Sequence, residues 1–234
     1  MRRLDRSRPT LCFVHDASPG ARPDRLWAVE DDDWRRIDLV QVRGKTLSAG
    51  ELEALTRGWI ERLAGLPPKV LVNDRLDVAL ASGAHGAHLG RDDVPLEVAR
   101  RLAPTGFFLG GSTHDRDELR AAQEAGADYA GLGAFFVTPT KESAMPLDFE
   151  RGGLKDPLED LAIPVLAIGG ITAERVGQAF QVPVVTGVAV SAAIQDAPEP
   201  GRALRELAAA VARAWETHRR APGAPSQRTS ESGT

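Results

Sequence analysis

The segment IPVLAIGGITAERVGQAFQVPVVTGVAVSAAI, residues 163–194, decides the fold. It contains two short apolar runs, Val165–Ile168 and Pro183–Val188, separated by the stretch Thr172–Phe180, in which Thr172 follows a glycine pair as a helix N-cap. The apolar runs lack the alternation of a sheet with one wet face, which is typical of parallel strands covered by helices. The segment therefore predicts a right-handed strand–helix–strand unit.

The same alternation extends over the rest of the chain and predicts an α/β fold, a single (β/α)8 TIM barrel over residues 1–218. Further strands are predicted at Thr10–His15, Ile37–Arg43, Lys69–Asn73, Gly86–Leu89, Phe107–Gly110 and Asp128–Gly131. Further helices are predicted at Ser48–Leu63, Asp115–Ala125 and Pro200–His218. The alternative fold is a doubly wound open sheet, for which a glycine-rich phosphate loop would be expected after the first strand. Residues 16–20, DASPG, are not such a loop, so the barrel is preferred.

Composition excludes several classes of protein. With 29 basic against 33 acidic residues, the net charge of −4 argues against a general nucleic-acid binder. The N-terminal apolar run is too short for a signal peptide, and no run is long enough to span a membrane, so we expect a soluble, cytoplasmic protein without a membrane partner. The only cysteine, Cys12, lies in an apolar run and is expected to be buried. Residues 219–234 are rich in Pro, Ser and Gly and are predicted to form a disordered tail.

Two loops near the C-terminal end have the composition of a phosphate site. Gly169 and Gly170 follow the predicted seventh strand, and the sequence GVAVS, residues 187–191, follows the same pattern in the next unit. Glycines let the backbone approach an anion, and loops after strands seven and eight are the recurrent phosphate site of such barrels. A site for a phosphomonoester is therefore predicted here.

Two carboxylates are predicted to meet at the same end of the barrel. Asp74 follows the third strand and Asp93 the fourth, and the C-terminal ends of neighbouring strands share one face. Oxygen ligands without a His or Cys cluster suit Mg²⁺, which also binds substrate phosphate oxygens. The alternative is that each carboxylate caps a helix or pairs with an arginine.

A set of cations predicts a second anion site. Gln41, Arg43 and Lys45 alternate at the end of the second strand, and the segment TPTK, residues 138–141, lies after the sixth. Arginine, lysine and hydroxyl groups beside a cation describe a diphosphate site. Two of the only four lysines, Lys45 and Lys141, fall in these motifs. Two anion sites without a general base indicate a two-substrate transfer that depends on positioning and electrostatics.

These motifs resemble the thiamine-phosphate synthase family of the ThiE/TenI superfamily. The matching segments, in the family's order, are QVRGK (41–45), VNDRLDVALASGAHGAHLGRDD (72–93), GGSTHDRDEL (110–119), AGADYAGLGAFFVTPTK (125–141), IPVLAIGGIT (163–172) and GVAVSAAI (187–194). The resemblance implies a transferase that joins 4-amino-5-hydroxymethyl-2-methylpyrimidine diphosphate to 4-methyl-5-(2-phosphoethyl)thiazole. Diphosphate leaves first in the family, and the thiazole nitrogen captures the resulting pyrimidine-methyl cation.

The resemblance also implies site residues, with Mg²⁺ as cofactor on Asp74 and Asp93. The implied diphosphate ligands are Arg43, Lys45, Asn73, Ser112 and Lys141, of which Arg43, Lys45, Ser112 and Lys141 are the expected catalytic residues. Thr138 and Thr140 are expected near the reacting groups. The aminopyrimidine pocket is expected to include Gln41, His88 and Tyr129, and the thiazole phosphate is expected on Gly170, Val190 and Ser191.

Some positions depart from the family pattern. Gly44 replaces a larger, often acidic residue, and Arg91 replaces a common glutamine beside Asp93, where it could pair with that carboxylate and compete with Mg²⁺. Two alternatives therefore stay open: a TenI-type thiazole tautomerase, and a catalytically retired module that binds thiamine phosphates. A homo-oligomer is compatible with the sequence but is not predicted by any motif.

Overall fold

Short apolar segments form the eight parallel strands of a closed barrel in the computed structural model, which describes residues 4, 6–17, 23–136, 147–148, 152–156 and 158–220. Each strand pairs with the next, and β8 pairs with β1 to close the barrel. The predicted TIM barrel is confirmed. The strands are β1 (Thr10–Asp16), β2 (Leu39–Arg43), β3 (Lys69–Asn73), β4 (Gly86–Leu89), β5 (Phe108–Thr113), β6 (Tyr129–Gly133), β7 (Val165–Ile168) and β8 (Gly187–Val190).

Helices surround this barrel and connect its strands. They are α1 (Pro23–Trp27), α2 (Asp31–Trp34), α3 (Ala49–Arg62), α4 (Leu76–Ser82), α5 (Leu96–Leu102), α6 (Arg116–Glu124), α7 (Val176–Ala179), α8 (Ala192–Gln195) and α9 (Pro200–Arg220). A capping box starts α3, because Ser48 and Glu51 satisfy each other's backbone N–H groups. Asp115 caps α6 by accepting a hydrogen bond from the Glu118 N–H at 2.8 Å.

Some boundaries differ from the predicted ones. Apolar residues led us to predict the last strand at Pro183–Val188, but β8 begins only at Gly187, and Val184 and Val185 are buried before it. Helix α7 starts at Val176, one turn after the expected N-cap Thr172, whose carbonyl accepts from the Val176 N–H at 3.0 Å. Helix α9 extends to Arg220, two residues into the predicted tail, and the remainder of that tail lies outside the described residues.

Two hydrophobic cores stabilise the barrel. A large outer core lies between the strands and the helices and includes Trp34 and Trp59, which are fully buried. The smaller inner core fills the barrel itself, with side chains that alternate with the outer ones along each strand. Its residues are Cys12, Val14, Leu39, Leu71, Phe108, Tyr129, Leu166 and Ala189. Cys12 is buried as predicted, and burial raises the pKa of its thiol.

Charged residues close the N-terminal end of the barrel, which we call the floor. Asp38 pairs with Arg8 and accepts from the Leu11 N–H at 2.9 Å. Asp128 pairs with Arg100 at 2.6 Å and accepts from the Leu109 N–H at 2.8 Å.

Lys69 lies on the floor with its Nζ 4.4 Å from the ring centre of Phe108. Burial lowers the pKa of Lys69, while Asp128 and Asp38 oppose that shift. The lysine therefore lies over an aromatic face and in the field of two carboxylates at this end of the barrel.

None of the described helices is both long and apolar enough to cross a membrane.

Candidate active site

The two predicted metal ligands meet at the C-terminal end of the barrel, which we call the rim. Asp74 directly follows β3, and its N–H donates to the His88 carbonyl on β4 at 2.8 Å. Asp93 is fixed by the Gly90 N–H, which donates to its carboxylate at 2.6 Å. The two carboxylates are close enough for the charge of Asp93 to act on Asp74. The predicted convergence is therefore present.

The charges around Asp74 oppose one another. Burial and the Asp93 carboxylate raise the pKa of Asp74, whereas Lys45 and Arg43 oppose that rise. Asp74 also has φ of 66°, a left-handed backbone that Asp adopts more readily than most residues. In the part of the chain that the structure describes, no third His, Cys, Asp or Glu completes a metal-ligating group. A pair of carboxylates with neighbouring cations suits an ion shared with an anionic substrate.

Arg43 ends β2 beside Asp16, the last residue of β1. The two residues lie opposite each other in the strand register, and their side chains form an ion pair. Both side chains are mostly buried, with 16% of Arg43 and 9% of Asp16 exposed. Lys45 lies two residues later and is exposed to solvent. Arg43 and Lys45 thus bring two cations to the side of the rim that holds Asp74.

Gln41 and Asn73 lie deeper in the barrel than the charged groups. Gln41 projects inward from β2, and its side-chain amide donates a hydrogen bond to the Asn73 side-chain oxygen. Both side chains are buried. This contact brings together two residues that were predicted to bind different parts of the same substrate.

A chain of hydrogen bonds links three further predicted residues. His88 Nδ1 lies 2.9 Å from the Tyr129 hydroxyl, and His88 Nε2 lies 2.9 Å from Ser112 Oγ. Burial lowers the pKa of His88 to about 4 and raises that of Tyr129, so both are neutral near pH 7. Both ring nitrogens are engaged by Tyr129 and Ser112, so the three side chains form a neutral polar lining that suits an uncharged heterocycle. The neutral imidazole is a poor general base at that pH.

Glycine leaves the space that these rings occupy. A Cβ at Gly110 on β5 would lie 2.3 Å from the Tyr129 ring and 2.5 Å from His88 Nδ1. A Cβ at Gly131 on β6 would lie 3.2 Å from His88 Cε1. The glycines of the GGST and YAGLG motifs therefore make room for a histidine and a tyrosine inside the barrel.

The predicted monophosphate loops lie on the same rim. Gly169 and Gly170 have φ of 100° and 65°, so this turn uses a backbone conformation that favours glycine. A Cβ at Gly169 would lie 2.7 Å from the Ala134 Cβ. Val190 ends β8 and is buried, and Ser191, which precedes α8, is half-buried and makes no capping hydrogen bond with its side chain. Both loops lie at the mouth of the barrel, where β8 separates the loop after β7 from β1.

Comparison with known proteins assigns the family. The sequence profile of thiamine monophosphate synthase matches residues 11–194. The chain belongs to the thiamine monophosphate synthase family. The thiamine-phosphate synthase of Chlorobium phaeovibrioides is 37% identical over 205 residues, which cover 86% of this chain and 93% of that protein. The enzyme of the same name from Pyrococcus abyssi is 43% identical over 168 residues, covering 72% and 79% of the two chains.

The structure supports the same assignment. The solved thiamine phosphate pyrophosphorylase from Pyrococcus furiosus superposes with a TM-score of 0.70 and 29% identity, covering 89% of this chain and 98% of that one. The family resemblance predicted from the sequence motifs is confirmed, and with it the predicted enzyme class, a thiamine-phosphate synthase.

Three of the residues implied by the family resemblance are not placed by the structure. Thr138, Thr140 and Lys141 lie outside the described residues. Their expected roles near the reacting groups and the diphosphate stay predictions.

Both departures from the family pattern have a structural explanation. Arg91 does not form the pair with Asp93 that its position in the sequence allows; it forms an ion pair with Glu118 on α6, which also accepts from the His114 N–H at 2.8 Å. Gly44 stands where the side chains of Leu47 and Leu52 fill the space, since an added Cβ would lie 2.8 Å from Leu47 and 3.1 Å from Leu52.

Sequence reasoning gave no role to Asp16 or Gln195. The Asp16 N–H donates to the side-chain oxygen of Gln195 at 3.0 Å, and the Gln195 amide donates back to the Asp16 carbonyl at 3.0 Å. The position of Asp16 at the end of the first strand was a usable signal, because polar residues at strand ends line the rim. Gln195 follows β8 inside a helix and carries no such signal.

Proposed function

We propose that this chain joins 4-amino-5-hydroxymethyl-2-methylpyrimidine diphosphate to 4-methyl-5-(2-phosphoethyl)thiazole, forming thiamine phosphate and diphosphate, with Mg²⁺ as cofactor. One observation carries the proposal: the carboxylates of Asp74 and Asp93 converge on the rim beside Arg43 and Lys45. Family membership supplies the reaction, and this cluster supplies a place for its diphosphate. The rim offers cations for that leaving group and neutral polar groups for the heterocycle.

The residues present fit Mg²⁺. Burial and the nearby Asp93 carboxylate raise the pKa of Asp74, and a bound divalent cation would offset the repulsion between the two carboxylates. Asp74 and Asp93 would hold the ion, leaving other positions to water and diphosphate oxygens. When bound, Mg²⁺ would neutralise negative charge that develops on the leaving diphosphate.

The protein groups would then do three things. The diphosphate would be held by Arg43, Lys45 and Ser112. The bond that breaks joins its ester oxygen to the pyrimidine methylene carbon. Gln41 and the neutral pair His88 and Tyr129 would hold the aminopyrimidine. The thiazole phosphate would bind the glycine and serine loops after β7 and β8, with the ring nitrogen facing the methylene carbon.

The reaction requires no general base, because no proton is removed in either step. Diphosphate leaves with the electron pair of the broken C–O bond, which gives a pyrimidine-methyl cation. The lone pair of the thiazole nitrogen then forms the C–N bond, and this nitrogen has no proton to lose. The low pKa of His88 agrees with this mechanism, because the imidazole is neutral and weakly basic at the pH of the reaction.

The proposal is tested by diphosphate release from the purified chain. We expect release only when both substrates and Mg²⁺ are present, with one thiamine phosphate formed for each diphosphate. Omission of the thiazole phosphate and addition of EDTA are the controls. Aromatisation of the thiazole carboxylate precursor without diphosphate release would replace the proposal by a tautomerase. Binding of thiamine phosphate without turnover would replace it by a retired binding module.

The dissociative order has its own test. A pyrimidine diphosphate without the 4-amino group loses electron donation to the cation. We expect the single-turnover rate with this analogue to be far lower than with the normal substrate, whereas its affinity for the protein should change little. An equal loss in rate and affinity would contradict a cationic intermediate.

A further inference from the structure

The end of β1 is fixed to helix α8 by one side chain. Gln195 forms both hydrogen bonds with the main chain of Asp16, as donor and as acceptor, each at 3.0 Å. These two residues are separated by 179 positions in the sequence, and only the closure of the barrel between β8 and β1 brings them together. The backbone of Asp16 therefore has a defined position relative to α8.

The side chain of Asp16 in turn orients Arg43. Its carboxylate accepts a hydrogen bond from Arg43 Nη1, and 9% of the Asp16 side chain is exposed. The Ala17 N–H also donates to the Arg43 carbonyl at 2.7 Å. A guanidinium has five N–H donors, so a bond through Nη1 leaves others for an anion. Because a free arginine side chain is flexible, a buried carboxylate that holds one edge restricts where the other edge points.

Gln195 belongs to the short helix α8, whose N-cap is Ser191. Its main-chain N–H makes the ordinary helical hydrogen bond to the Ser191 carbonyl at 3.0 Å, so the helix itself connects Gln195 to the end of the loop after β8. Arg43 at the other end of this series is close enough to influence the pKa of Asp74. A continuous path thus leads from Ser191 through Gln195 and Asp16 to Arg43.

We propose that Asp16 and Gln195 are positioning residues that hold Arg43 for the diphosphate and couple it to the Ser191 loop. The proposal rests on the proposed function, which makes Arg43 a diphosphate ligand and Ser191 a thiazole-phosphate ligand. An aspartate beside a diphosphate would otherwise be unfavourable, since like charges repel. Its partly buried pair with Arg43 explains why a carboxylate is tolerated there.

The first test is a double-mutant cycle that uses Asp16→Asn and Arg43→Ala. Calorimetry measures the Kd of inorganic diphosphate in the presence of Mg²⁺. Asp16→Asn alone should raise this Kd about tenfold, the size expected for losing a charge-assisted hydrogen bond. In the Arg43→Ala background it should change the Kd less than about twofold, because its target is absent. An equal change in both backgrounds would overturn the positioning role.

The second test compares two glutamines that do similar structural work. Gln123 bonds the main chain before β7, accepting from the Ala162 N–H at 2.6 Å and donating to the Asp160 carbonyl at 3.0 Å. Gln195→Leu and Gln123→Leu both remove an amide that bridges main-chain groups. Both should lower the melting temperature, but only Gln195→Leu should weaken binding of diphosphate and of the thiazole phosphate. A similar loss of affinity in both variants would overturn the proposal.

The measurements distinguish a failure of the positioning role from a failure of the proposed function on which it rests. If the unmodified chain binds diphosphate but forms no thiamine phosphate, the proposed function fails while the cycle still tests the coupling of Asp16 to Arg43. If it turns over normally and Gln195→Leu changes neither Kd, the function stands and the positioning role is wrong.

Discussion

Charged side chains line both ends of the barrel, and the two ends hold them in different ways. On the floor, opposite charges are paired and each carboxylate also accepts a main-chain N–H, as Asp38 does from Leu11 and Asp128 from Leu109. On the rim, Asp74 faces a second carboxylate, Asp93, and has a left-handed backbone.

The comparison distinguishes structural from functional charge. A paired carboxylate with satisfied hydrogen bonds stabilises the fold in its unliganded state. Two neighbouring carboxylates repel each other and destabilise it unless a cation offsets their charge, and such local conflicts concentrate at functional sites. Residue type alone does not make this distinction, since aspartate and arginine occur at both ends.

The largest effect is expected from removing charge at the rim. Asp93→Asn keeps the acceptor for the Gly90 N–H but removes half of the predicted metal site. Turnover should fall by about 100-fold or more, as for loss of a group that stabilises developing charge. Binding of the thiazole phosphate, measured by calorimetry, should stay nearly unchanged. If turnover and thiazole affinity fell together, Asp93 would be a general support of the rim rather than a metal ligand.

A smaller effect is expected between the two ends, at Gly110. Gly110→Ala forces a methyl group against Tyr129 and His88, and overpacking of this kind costs about 1–3 kcal/mol of stability. The KM for the pyrimidine diphosphate should rise because both rings must move. Steady-state kinetics and thermal melting measure the two effects. Gly177→Ala is the matched control, since a Cβ there meets nothing within 4 Å. An unchanged KM in Gly110→Ala would contradict the assignment of His88 and Tyr129 to the pyrimidine pocket.

A substitution on the floor should lower the stability of the protein and leave its activity unchanged. Asp128→Asn keeps an acceptor for the Leu109 N–H but loses its charge beside Arg100 and Lys69. We expect a loss of about 1–2 kcal/mol after allowing for partial exposure. That corresponds to a fall of about 4 °C in melting temperature. The kcat at 25 °C should be unchanged, and a large fall in kcat would contradict the division between floor and rim.

The smallest effect is expected at Arg91, which lies beside the metal motif in sequence but pairs with Glu118 in space. Arg91→Gln should shift the Mg²⁺ concentration for half-maximal activity by less than about twofold, as expected for an exposed ion pair. A Mg²⁺ titration of activity measures this shift. If the variant reached half-maximal activity at a much lower Mg²⁺ concentration, Arg91 would compete with the ion after all.

The sequence predicts much of the fold because each strand is a compact local signal. Apolar runs such as Val165–Ile168, bounded by glycines and helix caps, do not depend on distant contacts. The proximity of Asp74 and Asp93 was predictable for the same reason, since residues that follow the C-terminal ends of neighbouring strands lie on the rim. The early start predicted for β8 shows the limit, because Val184 and Val185 are buried without joining the sheet.

Contacts that depend on barrel closure were not predictable from the sequence. The pair of Asp16 and Arg43 depends on the register between β1 and β2, and the bonds of Gln195 depend on the seam between β8 and β1. The partner of Arg91 depends on where α6 begins relative to β4. Local pattern specifies which residues reach the rim, whereas register and helix placement decide which of them touch.

The most direct test of the contrast between the two ends is thermal melting with and without Mg²⁺ and inorganic diphosphate. The account predicts that the two together raise the melting temperature of the unmodified chain, because they bind only the folded rim. Asp93→Asn should melt higher than the unmodified chain in EDTA, since the repulsion with Asp74 is gone, and should gain little from the ligands. Equal ligand-induced stabilisation of both chains, or none in either, would contradict the account.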